Sequence, residues 1–290
     1  MELFGWMVVG TGLPTVLGGS WWDSLLSTIG GAIAFGVSEL TGRFAPQYSN
    51  SWGLGLSSFL PAILITGVRL VRGDINVVIS VLSSVAIPLP GYTVSLGLAE
   101  LAANRILRGA GHMISGLVTL LWLVLGGYLG ESLVMAISEK DPPQDMSAAV
   151  DQLWLILFIP LIAVSLNIAF QIAYSDFLPA MTVSVLSYVV SFAAKYIANS
   201  NASTFLSAMI CTIAANIWCM VSDRAQSIVL TPAIVFLVSG SIGFRGIAEI
   251  IASGDAQVGM EQFTQMFVVA AVISVGVLAG NTLAFPETTL

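Results

Sequence analysis

The stretch VAIPLPGYTVSLGLAELAANR (residues 85–105) places two prolines, a glycine and a glutamate inside a strongly apolar chain. Pro88 and Pro90 lack backbone donors and clash with the preceding helical turn, so a helix entering this stretch must bend or stop there. Gly91 follows and allows backbone angles that other residues avoid. A helical pattern resumes at Thr93. The stretch therefore predicts a helix that is interrupted within an apolar segment.

A similar stretch, VFLVSGSIGFRGIAEIIASGD (residues 235–255), occurs in the second half of the chain. At an offset of 149 residues the two copies share glycines and a glutamate: Gly91 with Gly240, Gly97 with Gly246, and Glu100 with Glu249. The second copy uses Ser239, Gly240 and Ser241 where the first uses prolines. The match indicates an old internal duplication.

The composition identifies an integral membrane protein. The chain has 290 residues, of which 57% are hydrophobic and 9% are charged, whereas soluble domains have about 25% charged residues. Long apolar runs favour helices over a membrane barrel, because a helix satisfies its backbone groups within one segment. The net charge of −7 and the lack of a basic stripe argue against binding to nucleic acid.

We expect an all-α polytopic fold with about ten transmembrane helices. The apolar segments lie at 4–20, 22–42, 53–71, 75–90, 113–136, 152–174, 177–198, 202–222, 226–239 and 263–285. A polar linker at 137–151 separates two five-helix repeats, 1–136 and 152–290. Five spans are an odd number, so the repeats would be inverted, as in many secondary transporters. If each interrupted segment crossed twice, the repeats would have six spans and be parallel.

The two interruptions are candidate binding sites for a small polar solute. A break leaves free carbonyls on one side and free amides on the other, which suit the two charges of a zwitterion. Tyr92, Thr93 and Ser95 could bind a substrate hydroxyl, although hydroxyls also satisfy backbone groups at breaks. The serines of the second break, Ser239 and Ser241, are candidates of the same kind.

Glu100 and Glu249 are candidates for carrying protons, because a carboxylate in a membrane is costly and these two occupy matching positions. The alternative is that they cap interfacial helices or pair with Arg105 and Arg245. His112, the single histidine of the sequence, is a candidate proton relay, with an interfacial or packing role as the alternative.

No catalytic, cofactor or metal signature occurs in the sequence, so we expect neither an enzyme nor a cofactor nor a metal site. The patterns GGYLG (126–130) and GVLAG (276–280) predict close helix packing.

The stretch IPLPGYTVSLGLAELAANRILRGAGHM, followed later by PAIVFLVSGSIGFRGI, resembles the two motifs of the threonine/serine exporter family, in the same order. The resemblance implies proton-driven export of threonine, serine or similar small metabolites across the plasma membrane. By position, the motif residues of the family correspond to Pro90, Gly91, Gly240, Gly243 and Arg245, and Glu100 falls where members often have an acid. Ser239 stands where proline is usual in the family.

Two other functions are compatible with the same residues. The chain could be a membrane scaffold that keeps the exporter fold without transport, or a passive channel, although no filter sequence is visible. In each case the surroundings would be the lipid bilayer, and a homo-oligomer is a further expectation.

Overall fold

A computed structural model describes residues 2–138, 150–237, 239–253 and 256–284 of the chain. Regular structure in these ranges is helical, without a strand. The helices of the first half are α1 (Glu2–Val16), α2 (Trp21–Phe44), α3 (Leu54–Arg69), α4 (Val77–Ser84), α5 (Gly91–Ala102) and α6 (Ile106–Ser138). Those of the second half are α7 (Leu155–Ala169), α8 (Tyr174–Ala194), α9 (Ser200–Ser222), α10 (Ser227–Phe236), α11 (Ser239–Ser253) and α12 (Ala256–Leu283). Residues 139–149, most of the predicted linker, lie outside the described ranges.

A multi-pass helical membrane protein is confirmed by the lengths and composition of these helices. Among the described residues, seven helical segments are long and apolar enough to cross a bilayer: Trp21–Phe44, Pro46–Arg69, Ile106–Ser138, Tyr174–Ala194, Ser200–Ser222, Ser227–Ile251 and Gln257–Leu283. A perpendicular span needs about 20 residues, and α1, α4, α5 and α7 are each shorter than that. The number ten and the inverted arrangement therefore stay predictions.

The predicted interruption in the first half is present, but it begins before the prolines. Helix α4 ends at Ser84 and α5 begins at Gly91. Ile87 precedes Pro88, and a residue before proline is pushed out of the helical region, so helices usually end at or before that residue. The Pro90 carbonyl then accepts the Val94 amide at 2.9 Å, which forms the first turn of α5. In the second half, α10 ends at Phe236 and α11 begins at Ser239.

Contacts divide the chain into two compact units, and each unit takes helices from both halves of the sequence. The first unit contains the described parts of Met1–Leu89, Val118–Ala169 and Phe244–Gln262. The second contains those of Pro90–Leu117, Phe170–Gly243 and Phe263–Leu290. The predicted division into repeats at 1–136 and 152–290 concerns duplication of sequence rather than contacts, and it stays a prediction.

Glycines let helices approach closely at equivalent places in the two units. In the first unit, a methyl group added at Gly126 of α6 would overlap the Gly55 carbonyl oxygen at the start of α3. In the second unit, a methyl group at Gly276 of α12 would lie 2.8 Å from the Phe205 carbonyl oxygen of α9. The close packing predicted from GGYLG and GVLAG is thus present.

Helices α8, α9 and α10 form the core of the second unit, and α5 packs against α10. The apolar cluster of the second unit includes Val183, Cys211, Val229, Leu230, Ile234 and Ile273. Hydroxyls connect the helices as well, because Ser187 donates to the Ala233 carbonyl at 3.1 Å and Ser207 donates to the Ser187 carbonyl at 2.6 Å. Such hydrogen bonds contribute about 0.6 kcal/mol on average between membrane helices.

A buried aspartate occupies the third position of both α2 and α8. Asp23 is 1% exposed, and its two oxygens accept the Ser20 amide at 2.8 Å, the Asn76 amide at 2.9 Å and the Ser80 hydroxyl at 2.8 Å. Asp23 therefore joins the start of α2 to the start of α4. The positive ends of both helices stabilise its charge.

The corresponding aspartate of α8 has a charged partner. An Arg224 guanidinium nitrogen lies 2.7 Å from one Asp176 oxygen, just before α10 begins. The side chain of Asp176 is 4% exposed and that of Arg224 is 44% exposed. In each half of the sequence, an aspartate near the start of the second helix thus contacts residues at or just before the start of the helix that precedes the interruption.

Candidate functional site

The residues of the first motif open helix α5 in the second unit. Pro90 is buried, while Gly91, Tyr92 and Thr93 are partly exposed. Tyr92 packs against the apolar cluster of the second unit. The first turn of α5 is therefore fixed on one side by apolar contact.

Ser95 lies one turn further along α5 and is buried. Its carbonyl oxygen lies 2.7 Å from the Ser274 hydroxyl of α12, which is also 2.8 Å from the Ala270 carbonyl. A hydroxyl has one hydrogen to donate, so Ser274 shares it between two carbonyls. Ser95 is thus held by the body of the second unit.

Helices α5 and α6 form a tight hairpin. A methyl group at Gly97 would lie 2.9 Å from the Gly109 carbonyl oxygen, and one at Gly109 would lie 2.7 Å from the Gly97 carbonyl oxygen. The turn between the helices places Asn104 in the left-handed region, with φ of 59°, which asparagine tolerates better than most residues. This close approach sets which side chains can meet across the hairpin.

The hairpin brings two of the predicted proton-carrying residues together. The Glu100 Oε2 and His112 Nδ1 atoms are 2.7 Å apart. The side chain of Glu100 is 14% exposed and that of His112 is 40% exposed. Arg105, offered as a partner of Glu100 on sequence grounds, is exposed and forms no ion pair with it among the described residues. A carboxylate and an imidazole at this distance can share and exchange a proton.

The second motif opens helix α11. Gly240, Ser241 and Gly243 are buried and belong to the second unit. The backbone of Ser239 begins the helix, while its side chain is outside the described part. Ile242 packs against the apolar cluster of the second unit, the same cluster that Tyr92 of the first motif contacts. The two motifs therefore pack against the same apolar cluster of the second unit.

Arg245 follows the second motif and belongs to the first unit. Its Nε and Nη2 atoms are buried, and neither has a hydrogen-bond partner among the described residues. A buried guanidinium nitrogen without a partner is costly, and guanidinium groups match carboxylates and phosphates well. Arg245 is therefore suited to an anionic ligand.

Glu249 lies one turn beyond Arg245 in α11 and is partly buried. The glycine contact of the first hairpin has a counterpart here, because a methyl group at Gly259 of α12 would lie 2.7 Å from the Gly246 carbonyl oxygen. Gly97 and Gly246 are matching positions of the duplication.

A half-buried ion pair in the first unit was not foreseen from the sequence. Arg69 at the end of α3 lies 3.5 Å from Glu131 of α6. Glu131 also lines a small cavity of about 30 Å³, together with Val77, Val81 and Phe244. Glu131 lies within the predicted apolar segment 113–136, and α6 extends past it to Ser138.

The described residues contain no group of three or more His, Cys, Asp or Glu side chains that could hold a metal ion. Cys211 and Cys219 are both buried, and neither forms a disulfide among the described residues. The candidate chemistry is therefore that of the interruptions, Arg245 and the Glu100–His112 pair.

Comparison with known proteins gives a family match over most of the chain. The family model described as "Putative threonine/serine exporter" matches residues 1–134 and 145–284. No solved structure matches the chain.

Three curated fungal relatives show the range of similarity. The chain is similar to Pheromone-regulated membrane protein 10 of Saccharomyces cerevisiae strain S288c, with 25% identity over 94% of this chain and 76% of the relative. For the protein of the same name from Candida albicans strain WO-1, the identity is 25% over 80% of this chain and 22% of the relative. An uncharacterised protein of Schizosaccharomyces pombe is 27% identical over 81% of this chain and 29% of its own length. The chain thus spans under a third of the latter two relatives.

Proposed function

This chain belongs to the threonine/serine exporter family, and we propose that it is a secondary-active transporter of small amino acids or related metabolites rather than an enzyme. The family match covers both halves of the chain, which supports a transporter built from two fused halves. We further propose ten spans in two inverted repeats, with the two interruptions forming the substrate site. Inverted repeats with interrupted helices are a common architecture of secondary transporters.

The observation that carries the proposal is the burial of two guanidinium nitrogens of Arg245. Its Nε and Nη2 atoms have no hydrogen-bond partner among the described residues. An α-carboxylate would supply both missing acceptors in a bidentate pair. All amino acids have this group, so Arg245 would select the class of substrate.

The proposed driving force is a proton gradient coupled through Glu100 and His112. Their 2.7 Å contact joins a largely buried carboxylate to a partly exposed imidazole. The imidazole could pass protons between water and the carboxylate, because it contacts the carboxylate and is partly exposed to water. Glu249 is the matching acid of the other half and a second candidate. Export across the plasma membrane is part of the same proposal.

Transport by purified protein in liposomes tests this function. Transport of labelled threonine or serine is measured in two modes. The first mode is exchange without a gradient, and the second is uptake driven by an imposed proton gradient. We expect both modes in the wild type. Gradient-independent net flux would instead indicate a passive channel, and no flux in either mode would favour a scaffold that does not transport.

Amino-acid analogues test the role assigned to Arg245. In the wild type, we expect threonine to compete much better than threoninol, which lacks the carboxylate. In Arg245→Gln, the Km for threonine should rise by about tenfold or more, the usual worth of a charge-assisted hydrogen bond. The preference for threonine over threoninol should also disappear. Lys195→Gln removes an exposed cation elsewhere and serves as the matched control. Unchanged discrimination in Arg245→Gln would contradict the assignment.

A further inference from the structure

The turn between α5 and α6 presents two arginines and two apolar side chains to the surroundings. The hairpin tip, residues 105–108, has the sequence Arg-Ile-Leu-Arg. All four residues are exposed, with Ile106 at 67% and Leu107 at 91%. Large apolar side chains with this exposure next to positive charge are typical of a membrane interface.

Both positive charges of the hairpin tip are unmatched within the described part of the chain. Arg43, Arg69 and Arg224 each pair with a carboxylate, but neither Arg105 nor Arg108 does so among the residues that the structure describes. An exposed arginine beside apolar residues can extend its guanidinium toward the headgroups while its methylene groups stay in the apolar layer.

The apolar side of the tip continues along helix α6. Exposed side chains recur on α6 at helical spacing, at Leu107, Ile114, Val118, Leu121 and Leu125. In a protein that spans a bilayer, a continuous apolar stripe of this kind faces the lipid chains. The arginines lie at the N-terminal end of this stripe.

We propose that the hairpin tip binds the headgroup of an anionic phospholipid, with Arg105 and Arg108 on the phosphate and Ile106 and Leu107 among the first carbons of the acyl chains. Arg105 directly precedes α6, and its carbonyl accepts the Gly109 amide at 3.0 Å, while Arg108 lies in the first turn of the helix. Guanidinium groups bind phosphate through paired hydrogen bonds. An anionic lipid also matches the charge of the tip, whereas a zwitterionic lipid leaves it uncompensated.

The segment 139–149 of the same chain, which is rich in acidic residues, cannot be the ligand of the tip. It begins directly after Ser138, at the end of α6 that is far from the tip. Helix α6 has 33 residues, so its two ends are about 50 Å apart at 1.5 Å per residue. A fully extended segment of 11 residues reaches at most about 40 Å. This segment therefore does not supply the ligand. Lipid binding at the tip does not depend on the proposed transport.

Depth-sensitive quenching tests this interaction in the full chain. A fluorophore is attached at Leu107→Cys in phosphatidylcholine liposomes, where the buried Cys211 and Cys219 react poorly. Brominated phosphatidylglycerol or brominated phosphatidylcholine is then added at equal mole fractions. We expect stronger quenching by phosphatidylglycerol, with an apparent preference of about fivefold per arginine at low salt. The preference should decrease as the salt concentration rises.

Charge-matched variants identify the residues responsible. R105Q/R108Q should lose the preference for phosphatidylglycerol while quenching by phosphatidylcholine persists. R43Q/K195Q removes the same charge from exposed positions elsewhere and should keep the preference. Equal preference in both double variants would overturn the proposal.

Three further outcomes would also overturn it. Equal quenching of the wild type by both lipids would show that the tip does not select charge. Suppression of the preference by inorganic phosphate at constant ionic strength would identify a free anion as the ligand. Absence of quenching by either lipid, together with energy transfer between labelled chains, would place a second copy of the chain on the tip. These measurements keep both arginines, so they stand even where the double variant fails to fold.

Discussion

The Oε2 atom of Glu100 lies 2.7 Å from the Nδ1 atom of His112, across a hairpin held by Gly97 and Gly109. The first glutamate of the duplicated pair therefore has a titratable partner on the neighbouring helix. A carboxylate with such a partner can change its protonation without leaving an unpaired charge.

Replacing Glu100 separates proton coupling from substrate binding. We expect Glu100→Gln to keep exchange of labelled threonine but to lower gradient-driven uptake by about tenfold or more, the scale of a lost hydrogen bond to a charged group. Both modes are measured in the same liposomes. Equal loss of exchange and gradient-driven uptake would indicate a structural role instead. His112→Gln keeps hydrogen-bonding capacity without titration, so it should show the same split.

The orientation of the two repeats can be tested with single cysteines. Gln47 lies between α2 and α3, and Tyr196 lies between α8 and α9, and both are exposed. If the repeats are inverted, these equivalent connections lie on opposite sides of the membrane. A membrane-impermeant maleimide added to sealed vesicles should therefore label Gln47→Cys or Tyr196→Cys, but not both. Labelling of both from one side would support parallel repeats with six spans each.

A glycine-to-alanine substitution should have opposite effects on stability at Gly126, which contacts α3, and at Gly36, which has open space around it. Gly126→Ala would place its methyl group on the Gly55 carbonyl, and we expect a loss of about 1–3 kcal/mol in unfolding free energy from overpacking. Gly36→Ala in α2 has open space around the new methyl group and should gain about 0.5–1 kcal/mol from helix propensity. Unfolding by SDS in mixed micelles measures both. Equal effects at the two positions would contradict the packing.

The Asp176–Arg224 pair should stabilise the fold more than a surface pair does. Arg224→Gln leaves the buried carboxylate of Asp176 without its cation, and we expect a loss of about 1–2 kcal/mol, between the values for surface and buried pairs. Arg43→Gln breaks an exposed pair with Glu39 and should cost less than about 0.5 kcal/mol. The double variant Asp176→Asn/Arg224→Gln should recover part of the loss. An effect no larger than that of Arg43→Gln would show that Arg224 does not stabilise the pair.

Composition and periodicity were sufficient for the class of fold and for the first interruption. The low charge content required a membrane protein, and Pro88 and Pro90 required a break. The duplicated spacing of Gly97 and Gly246 reappears as two glycine contacts between consecutive helices. These features depend on local chemistry that is visible in the sequence itself.

Features that depend on three-dimensional contact were missed. Sequence proximity suggested Arg105 as the partner of Glu100, but the turn at Asn104 directs the chain back and presents His112 instead. Asp23 was not identified from the sequence, because the residues that donate hydrogen bonds to it, Asn76 and Ser80, are more than 50 residues away along the chain. Pairings of this kind follow from helix packing, which a single sequence does not specify.

The two anchoring aspartates give the halves of the molecule unequal chemistry. Asp23 is held by neutral amide and hydroxyl donors, whereas Asp176 is held by a guanidinium. Added electrolyte therefore weakens the ion-paired anchor of Asp176, whose arginine is 44% exposed, more than the neutral anchor of Asp23.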